Sequence, residues 1–376
     1  MKIMQFGAGL MLGGLLAGLA LAQDRGPIGP SPYEYHTETW IQPFGEEGFS
    51  WGGNAGVYAQ SSDRIFFLQR GETELPDPIP QEYTNFPGSM GWNVLRGRGR
   101  VWQNCIYVVN SEGEVLEVWD HWDHLFTGSN GPGPHRLRMS PYDSENRLWL
   151  IEESGHIIYV FSNDGDELLM TLGEKNVPGN DETHYNQPQD VAFLPDGKFL
   201  IADGLGNKRV VVRNADGSYH SEFGEEGTEP HQFASVHSIA VGPDDRLYVL
   251  DRNSRNVKVY QQTAARDSAE YPAYEYVTTW GGLDTPLDIS VSDSHAWVTD
   301  NDPPKIVQFN LEDGSRNYTW LLPAEGHDYW IEMHSFSADE AGNLYGADNQ
   351  TGRPQKMTPL PDANPEHLVT PQYVPR

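Results

Sequence analysis

Three histidines recur about a hundred residues apart in similar settings: Pro134-His135-Arg136-Leu137, Val236-His237-Ser238-Ile239 and Met333-His334-Ser335-Phe336. A neutral imidazole nitrogen is a good ligand for zinc, and three such ligands with an open fourth position are what catalytic zinc sites use. Residues so far apart act together only if the fold returns the chain to one place. His135, His237 and His334 are therefore the candidate metal ligands, and a repeat is what must position them.

The repeat is visible. Pro188-Gln189-Asp190-Val191-Ala192-Phe193 and Pro286-Leu287-Asp288-Ile289-Ser290-Val291 resemble the three histidine segments, and Ala55-Gly56-Val57-Tyr58-Ala59 is a looser copy. Anchored at 135, 190, 237, 288 and 334, the copies are spaced 55, 47, 51 and 46 residues. Each continues through a turn into a second short strand, as in Pro195-Asp196-Gly197 then Phe199–Asp203, and then a third, as in Arg209–Val212. A further outer strand fits each connection, as at Tyr276–Trp280. This period is that of a four-stranded propeller blade, so the expected fold is all-β, a six-bladed β-propeller with a long insertion in blade one over roughly 71–105. In such a fold the first strand of each blade lines the central channel. Blades two, four and six are then related by threefold rotation, and their histidines converge on the axis. Asp190 and Asp288 would stand between them, either orienting imidazole N–H groups or binding backbone amides. Asp203, Asp251, Asp300 and Asp348 end the second strands and read as residues capping backbone amides. The tail 359–376 is proline-rich, extended, and placed to pair with blade one.

Composition narrows the partners. Lys plus Arg is 25 against 54 Asp plus Glu, a formal charge of −29. That disfavours nucleic acid and anionic membrane surfaces. With 39 Gly and 27 Pro, long helices are not expected. Cys105 is alone, which excludes an intramolecular disulfide and Cys-based metal sites. Lys2, the apolar run Phe6 to Leu19 and Ala20-Leu21-Ala22 read as a cleavable export signal over 1–22. Gln23 would begin the mature chain, and 23–376 would be one propeller domain. Gln23 is not Cys, so no lipid anchor is indicated. The expectation is a periplasmic or secreted monomer with no membrane contact after cleavage.

Ile201-Ala202-Asp203-Gly204-Leu205-Gly206-Asn207-Lys208-Arg209-Val210 resembles NHL repeats. Leu172-Gly173, Pro178-Gly179, His184-Tyr185, Gln187-Pro188, Asp190-Val191-Ala192, Phe223-Gly224-Glu225-Glu226, Gln232-Phe233 and Val236-His237-Ser238 further resemble the lyase domain of peptidylglycine α-amidating enzymes. The resemblance is close over 133–261 and looser elsewhere. It implies a six-bladed propeller with zinc on three histidines, cleaving a peptidyl-α-hydroxyglycine to a peptide amide and glyoxylate. Arg70 and Arg252 resemble the family's substrate-binding arginines, and Met333 a methionine lining the site. The chain departs where the family's catalytic tyrosine falls, which is Leu205 here; Tyr185, in the preceding connection, is the substitute considered. Ser335 replaces an aspartate that helps hold a structural calcium, so no calcium is expected. Asn186 and Gly206 stand where two family cysteines would be. The leading function is a zinc-dependent C–N lyase acting on a small molecule or short peptide with a carboxylate. A metal-dependent ester or lactone hydrolase and a non-catalytic NHL binding protein remain open.

Overall fold

The computed structural model describes residues 26–36, 40–41, 44–78, 99–128, 131–263, 274–326 and 328–372. The residues expected to form an export signal, 1–22, and much of the blade-one insertion lie outside these.

Six blades of four antiparallel strands follow one another along the chain, and Ile28–Gly29 adds a fifth, parallel strand outside blade five, facing Thr319 and Trp320. Blade one is Asn54–Ser61, Arg64–Gln69, Ile106–Val109 and Val115–Val118. Blade two is Pro134–Met139, Leu148–Glu152, Ile157–Phe161 and Leu168–Leu172. Blade three is Asp190–Phe193, Phe199–Asp203, Arg209–Arg213 and Tyr219–Phe223. Blade four is Val236–Val241, Arg246–Asp251, Asn256–Gln262 and Tyr274–Trp280. Blade five is Thr285–Val291, His295–Asn301, Lys305–Asn310 and Arg316–Leu321. Blade six takes Met333–Ala338, Leu344–Asp348 and Pro354–Pro359 from one end of the chain and Tyr33–Tyr35 from the other. The propeller read from the repeat is the fold observed.

The residue pattern explains the layering. Second and third strands such as Leu148–Glu152 and Ile157–Phe161 are buried at every position, because neighbouring blades cover both faces. The outermost strand Leu168–Leu172 alternates between half-buried and exposed residues instead. Six apolar clusters lie one at each blade interface, from Leu68, Leu137 and Leu150 between blades one and two to Val57, Phe67 and Tyr345 between blades six and one. The ring is therefore continuous.

Ring closure corrects the expectation for the tail. Blade one completes itself without it. Blade six is closed by the N-terminal segment, with Tyr33, Glu34 and Tyr35 facing Pro359, Thr358 and Met357. The tail instead packs on blades five and six: His367 stacks on Tyr318 with centroids 3.7 Å apart, and Val369 N donates to Tyr33 Oη at 2.8 Å. Phe49–Trp51, which precedes blade one, and Glu72–Glu74 and Arg100–Val101 from the blade-one insertion make a small extra sheet.

Candidate metal centre

The histidines are aimed by an irregularity in each innermost strand. Pro134 faces Glu152 but Arg136 faces Ile151, leaving His135 as an extra residue. The same happens at His237 and at His334. A bulge of this kind re-aims one side chain and releases its peptide from the ladder. Blades one and five bulge at Ala55 and Leu287. In blade three Gln189 N donates to Ala202 O while Asp190 also faces Ala202, which makes Gln189 the counterpart. The six equivalent positions are Ala55, His135, Gln189, His237, Leu287 and His334. Asp190 and Asp288 therefore lie one residue beyond the histidine level, beside Arg136, Ser238 and Ser335, which corrects the alignment drawn from sequence. The prolines held the right register: Pro134-His135, Pro188-Gln189 and Pro286-Leu287.

The released carbonyls hold the imidazoles. His135 Nδ1 donates to Gln189 O at 2.8 Å, His237 Nδ1 to Leu287 O at 2.7 Å and His334 Nδ1 to Ala55 O at 2.7 Å. In each case a histidine on an even blade uses the bulge carbonyl of the next odd blade. Nδ1 is thereby the protonated nitrogen, and Nε2 keeps its lone pair. The ligand nitrogens lie within 4.8 Å of one another, with ring centroids 4.6, 4.9 and 5.3 Å apart. Burial, then nearby arginines and the other imidazoles, hold all three histidines well below the usual pKa. They are neutral near pH 7, the form that ligates a metal. Each imidazole turns a lone pair toward the other two in a buried space. That donor set, with its anchored second nitrogens, fits zinc.

A sealed polar layer lies under the histidines. Arg138 Nη2 bridges Asp190 at 2.9 Å and Asp288 at 2.7 Å, and Arg136 Nη1 pairs with Asp288 at 2.8 Å. Ser238 Oγ donates to Asp190 and Ser335 Oγ to Asp288. The carboxylates also accept from backbone amides, Asp190 from Val191 and Ile239 and Asp288 from Ile289 and Phe336. Of the two roles considered for these aspartates, binding backbone amides is the one found. Burial alone would raise the pKa of Asp288, but Arg136 and Arg138 more than offset it and hold it low.

A second ring surrounds the open side. A capping residue stands at the end of each second strand or one residue before it. Asp251 accepts from the amides of Ala234, Ser235 and Ser254, and Asp348 from those of Ile331, Glu332, Gln350 and Thr351, as the capping reading required. The residues that follow the caps are Arg70, Glu153, Gly204, Arg252, Asn301 and Asn349. Gly204 carries no side chain because a Cβ there would come within 1.6 Å of Val236 O. Glu153 Oε2 stands 3.9 Å from His135 Nε2 and 3.7 Å from Arg70 Nη2. Its burial raises its pKa, against the pull of Arg70 and Gln189.

The structure brings together only some of the expected site residues. His135, His237 and His334 converge. Arg70 is buried, with Nε donating to Pro134 O at 3.2 Å. Arg252 is half-buried close enough to influence His237, Glu153 and Arg70, and its guanidinium makes no hydrogen bond or ion pair among the described residues. Met333 is not at the site: it is fully buried in the core between blades five and six, because the bulge turns only His334 toward the axis. Tyr185 is not at the site either. It packs between blades two and three with Trp149, Ile158 and Phe199, its ring under the Arg213 guanidinium and its pKa pushed up to about 12 by burial. Leu205 sits partly exposed in its turn. Sequence reasoning missed Glu153, Gln189, Glu332 and Arg136. Glu153 was findable, since it occupies in blade two the column of Arg70 and Arg252. Gln189 keeps its Oε1 buried without a partner. Glu332 accepts from Asn349 and Gln350, both at 2.9 Å.

Fold and site together define a six-bladed propeller carrying a three-histidine centre on its axis. No protein-family model matches the chain. A protein assigned as a peptidyl-alpha-hydroxyglycine alpha-amidating lyase in Caenorhabditis elegans is 29% identical over 130 residues, 34% of this chain and 36% of that protein. Peptidyl-glycine alpha-amidating monooxygenase A of Xenopus laevis is 31% identical over 173 residues, 44% of this chain and 17% of that protein. NHL repeat-containing protein 3 of Mus musculus is 25% identical over 165 residues, 42% of this chain and 45% of that protein. The chain thus spans less than half the length of these relatives. The resemblance to amidating lyases and NHL repeat proteins holds. A solved structure described as a candidate gluconolactonase superposes with a TM-score of 0.53, covering 88% of this chain and 93% of that one at 15% identity, a likeness of fold.

Proposed function

We propose that this chain is a metal-dependent enzyme in which His135, His237 and His334 hold zinc, and that it cleaves a C–N bond in a small carboxylate-bearing substrate of the peptidyl-α-hydroxyglycine type. The convergence of three imidazole nitrogens within 4.8 Å, each imidazole anchored by a backbone carbonyl, carries this reading. When bound, zinc supplies Lewis acidity to a substrate oxygen. The chain's own residues do the rest. Arg252 binds the substrate carboxylate, since its guanidinium is uncommitted, while Arg70 is partly engaged by Glu153. Glu153 Oε2 takes the proton from the substrate hydroxyl and returns it to the amide nitrogen, as the oxygen becomes the carbonyl of the product and the C–N bond breaks. The buried layer of Arg136, Arg138, Asp190 and Asp288 closes the floor to water.

A second reading is favoured by one observation. Leu205 cannot move a proton, and the titratable group beside the histidines is a carboxylate. A carboxylate suits activation of water, hence hydrolysis of an ester or lactone on the same centre. Metal content of protein purified without chelator or tag, beside His237→Ala, tests the centre: about one zinc per chain, lost in the variant, is expected. Glyoxylate release from an N-acyl-α-hydroxyglycine then supports the lyase, whereas ester or lactone turnover without glyoxylate supports the hydrolase. Absence of metal after zinc loading overturns both in favour of a binding protein. We further propose export with cleavage before Gln23, which N-terminal sequencing of the mature protein checks.

A further inference from the structure

We infer that Arg136 is a positioning residue of the metal centre, setting the spacing of the three histidines through their backbone supports. The inference rests on the metal-centre reading above. Arg136 follows His135 directly and is fully buried on the channel axis. Its Nη1 donates to His334 O at 2.9 Å, the carbonyl of the third ligand itself. Its Nη2 donates to Leu287 O at 3.0 Å, and that same carbonyl accepts from His237 Nδ1 at 2.7 Å. One guanidinium thus joins the backbone of His135, the backbone of His334 and the anchor of His237. It spans blades two, five and six beneath the imidazoles. The fork is planar and rigid, so its two donors fix the separation of the two carbonyls they bind, which a lysine ammonium cannot do.

Charge balance alone does not account for this arrangement. Arg138 lies in the same layer and pairs with both Asp190 and Asp288. Its one carbonyl contact is with Leu137 O, at 3.5 Å, and none of its hydrogen bonds goes to a histidine or a histidine anchor. Arg138 neutralises the aspartates; Arg136 does that and also holds the bulges. The two arginines are a built-in comparison between burying a compensating charge and positioning the ligands.

The test is metal affinity, not turnover. Wild type, Arg136→Met, Arg136→Lys and Arg138→Met are titrated with cobalt, followed by its visible absorption, and with zinc against a chromophoric chelator. Thermal melts of the metal-free proteins record stability separately. Arg136→Met is expected to weaken cobalt and zinc binding by about 10- to 100-fold, the range for residues that orient metal ligands, and to move the cobalt absorption bands. Arg136→Lys, which keeps the charge and loses the fork, should fall between it and wild type. Arg138→Met should lose stability yet keep wild-type affinity and spectrum. If Arg136→Met does not fold, Arg136→Lys decides: wild-type affinity in that variant overturns the inference. So does equal weakening in Arg136→Met and Arg138→Met, which would make the effect one of general packing. Wild type that takes up no metal removes the centre and this role with it, a result distinct from a wild type that binds and an Arg136 variant that binds equally well.

Discussion

Glu153 decides what the three histidines can do. Its Oε2 is the carboxylate oxygen 3.9 Å from His135 Nε2, placed to accept a proton beside them. Glu153→Gln keeps the shape and the contact with Arg70 but cannot take a proton. It should lower kcat by about 10²- to 10⁴-fold on whichever substrate is turned over, while bound zinc stays at the wild-type level. Loss of zinc together with activity would instead make Glu153 a ligand. Arg252→Ala should act through KM, because its guanidinium is free to meet the carboxylate. A charged hydrogen bond is worth about 1.5–3 kcal/mol, so kcat/KM should fall at least roughly tenfold with kcat little changed. An equal fall in kcat would move Arg252 from binding into the chemical step. At this scale the convergence of the three histidines was legible because the repeat puts equivalent positions of alternate blades on one axis. Met333 and Tyr185 were not, because whether a side chain meets the axis or the core depends on the bulge and on how each connection crosses a blade interface.

Elements impose a second set of constraints, and the capping residue of blade two meets them poorly. Asp251 and Asp348 each satisfy three or more amides, whereas Glu152 takes only that of Gly155 and leaves Oε1 buried without a partner. Burial raises Glu152 from 4.5 to about 7, with Glu153 adding to the rise and the Gly155 amide opposing it. A carboxyl whose folded pKa is raised binds its proton more tightly in the native state. Its contribution to stability is complete below about 4.5 and is lost as pH climbs through about 7. Wild type should therefore lose up to roughly 3 kcal/mol more than Glu152→Gln between pH 5 and pH 8. Urea melts of both proteins across that range measure the difference, and parallel curves would show that Glu152 is not protonated in the fold. The repeat told where each blade begins but not its register. A bulge places two residues opposite one, so the Asp of Pro-x-Asp looks equivalent to histidine when the residue before it is.

For the whole molecule, the number of blades was written in the blade-sized spacing, and the joint between the ends of the ring was not. A three-residue strand, Tyr33–Tyr35, carries no repeat signal, and its partner is more than 300 residues away. Its anchor is Tyr33, buried beside Trp320 with centroids 6.0 Å apart and accepting from Val369 N. Truncating that ring leaves a cavity in the interface of blades five and six and strands a buried amide. Tyr33→Ala should cost about 3–5 kcal/mol, the usual loss for a large buried aromatic. Removing residues 1–36 should cost more, because Pro354–Pro359 becomes an open edge. Removing 361–376 should cost less than removing 1–36, since blade six keeps its four strands. Because His334 stands on the innermost strand of blade six, loosening that blade should also weaken metal binding, so zinc affinity and urea stability should fall together across Tyr33→Ala and the two truncations. A chain lacking 1–36 that keeps wild-type stability and zinc would show that the other five blades alone hold the ring, and that closure and centre are independent.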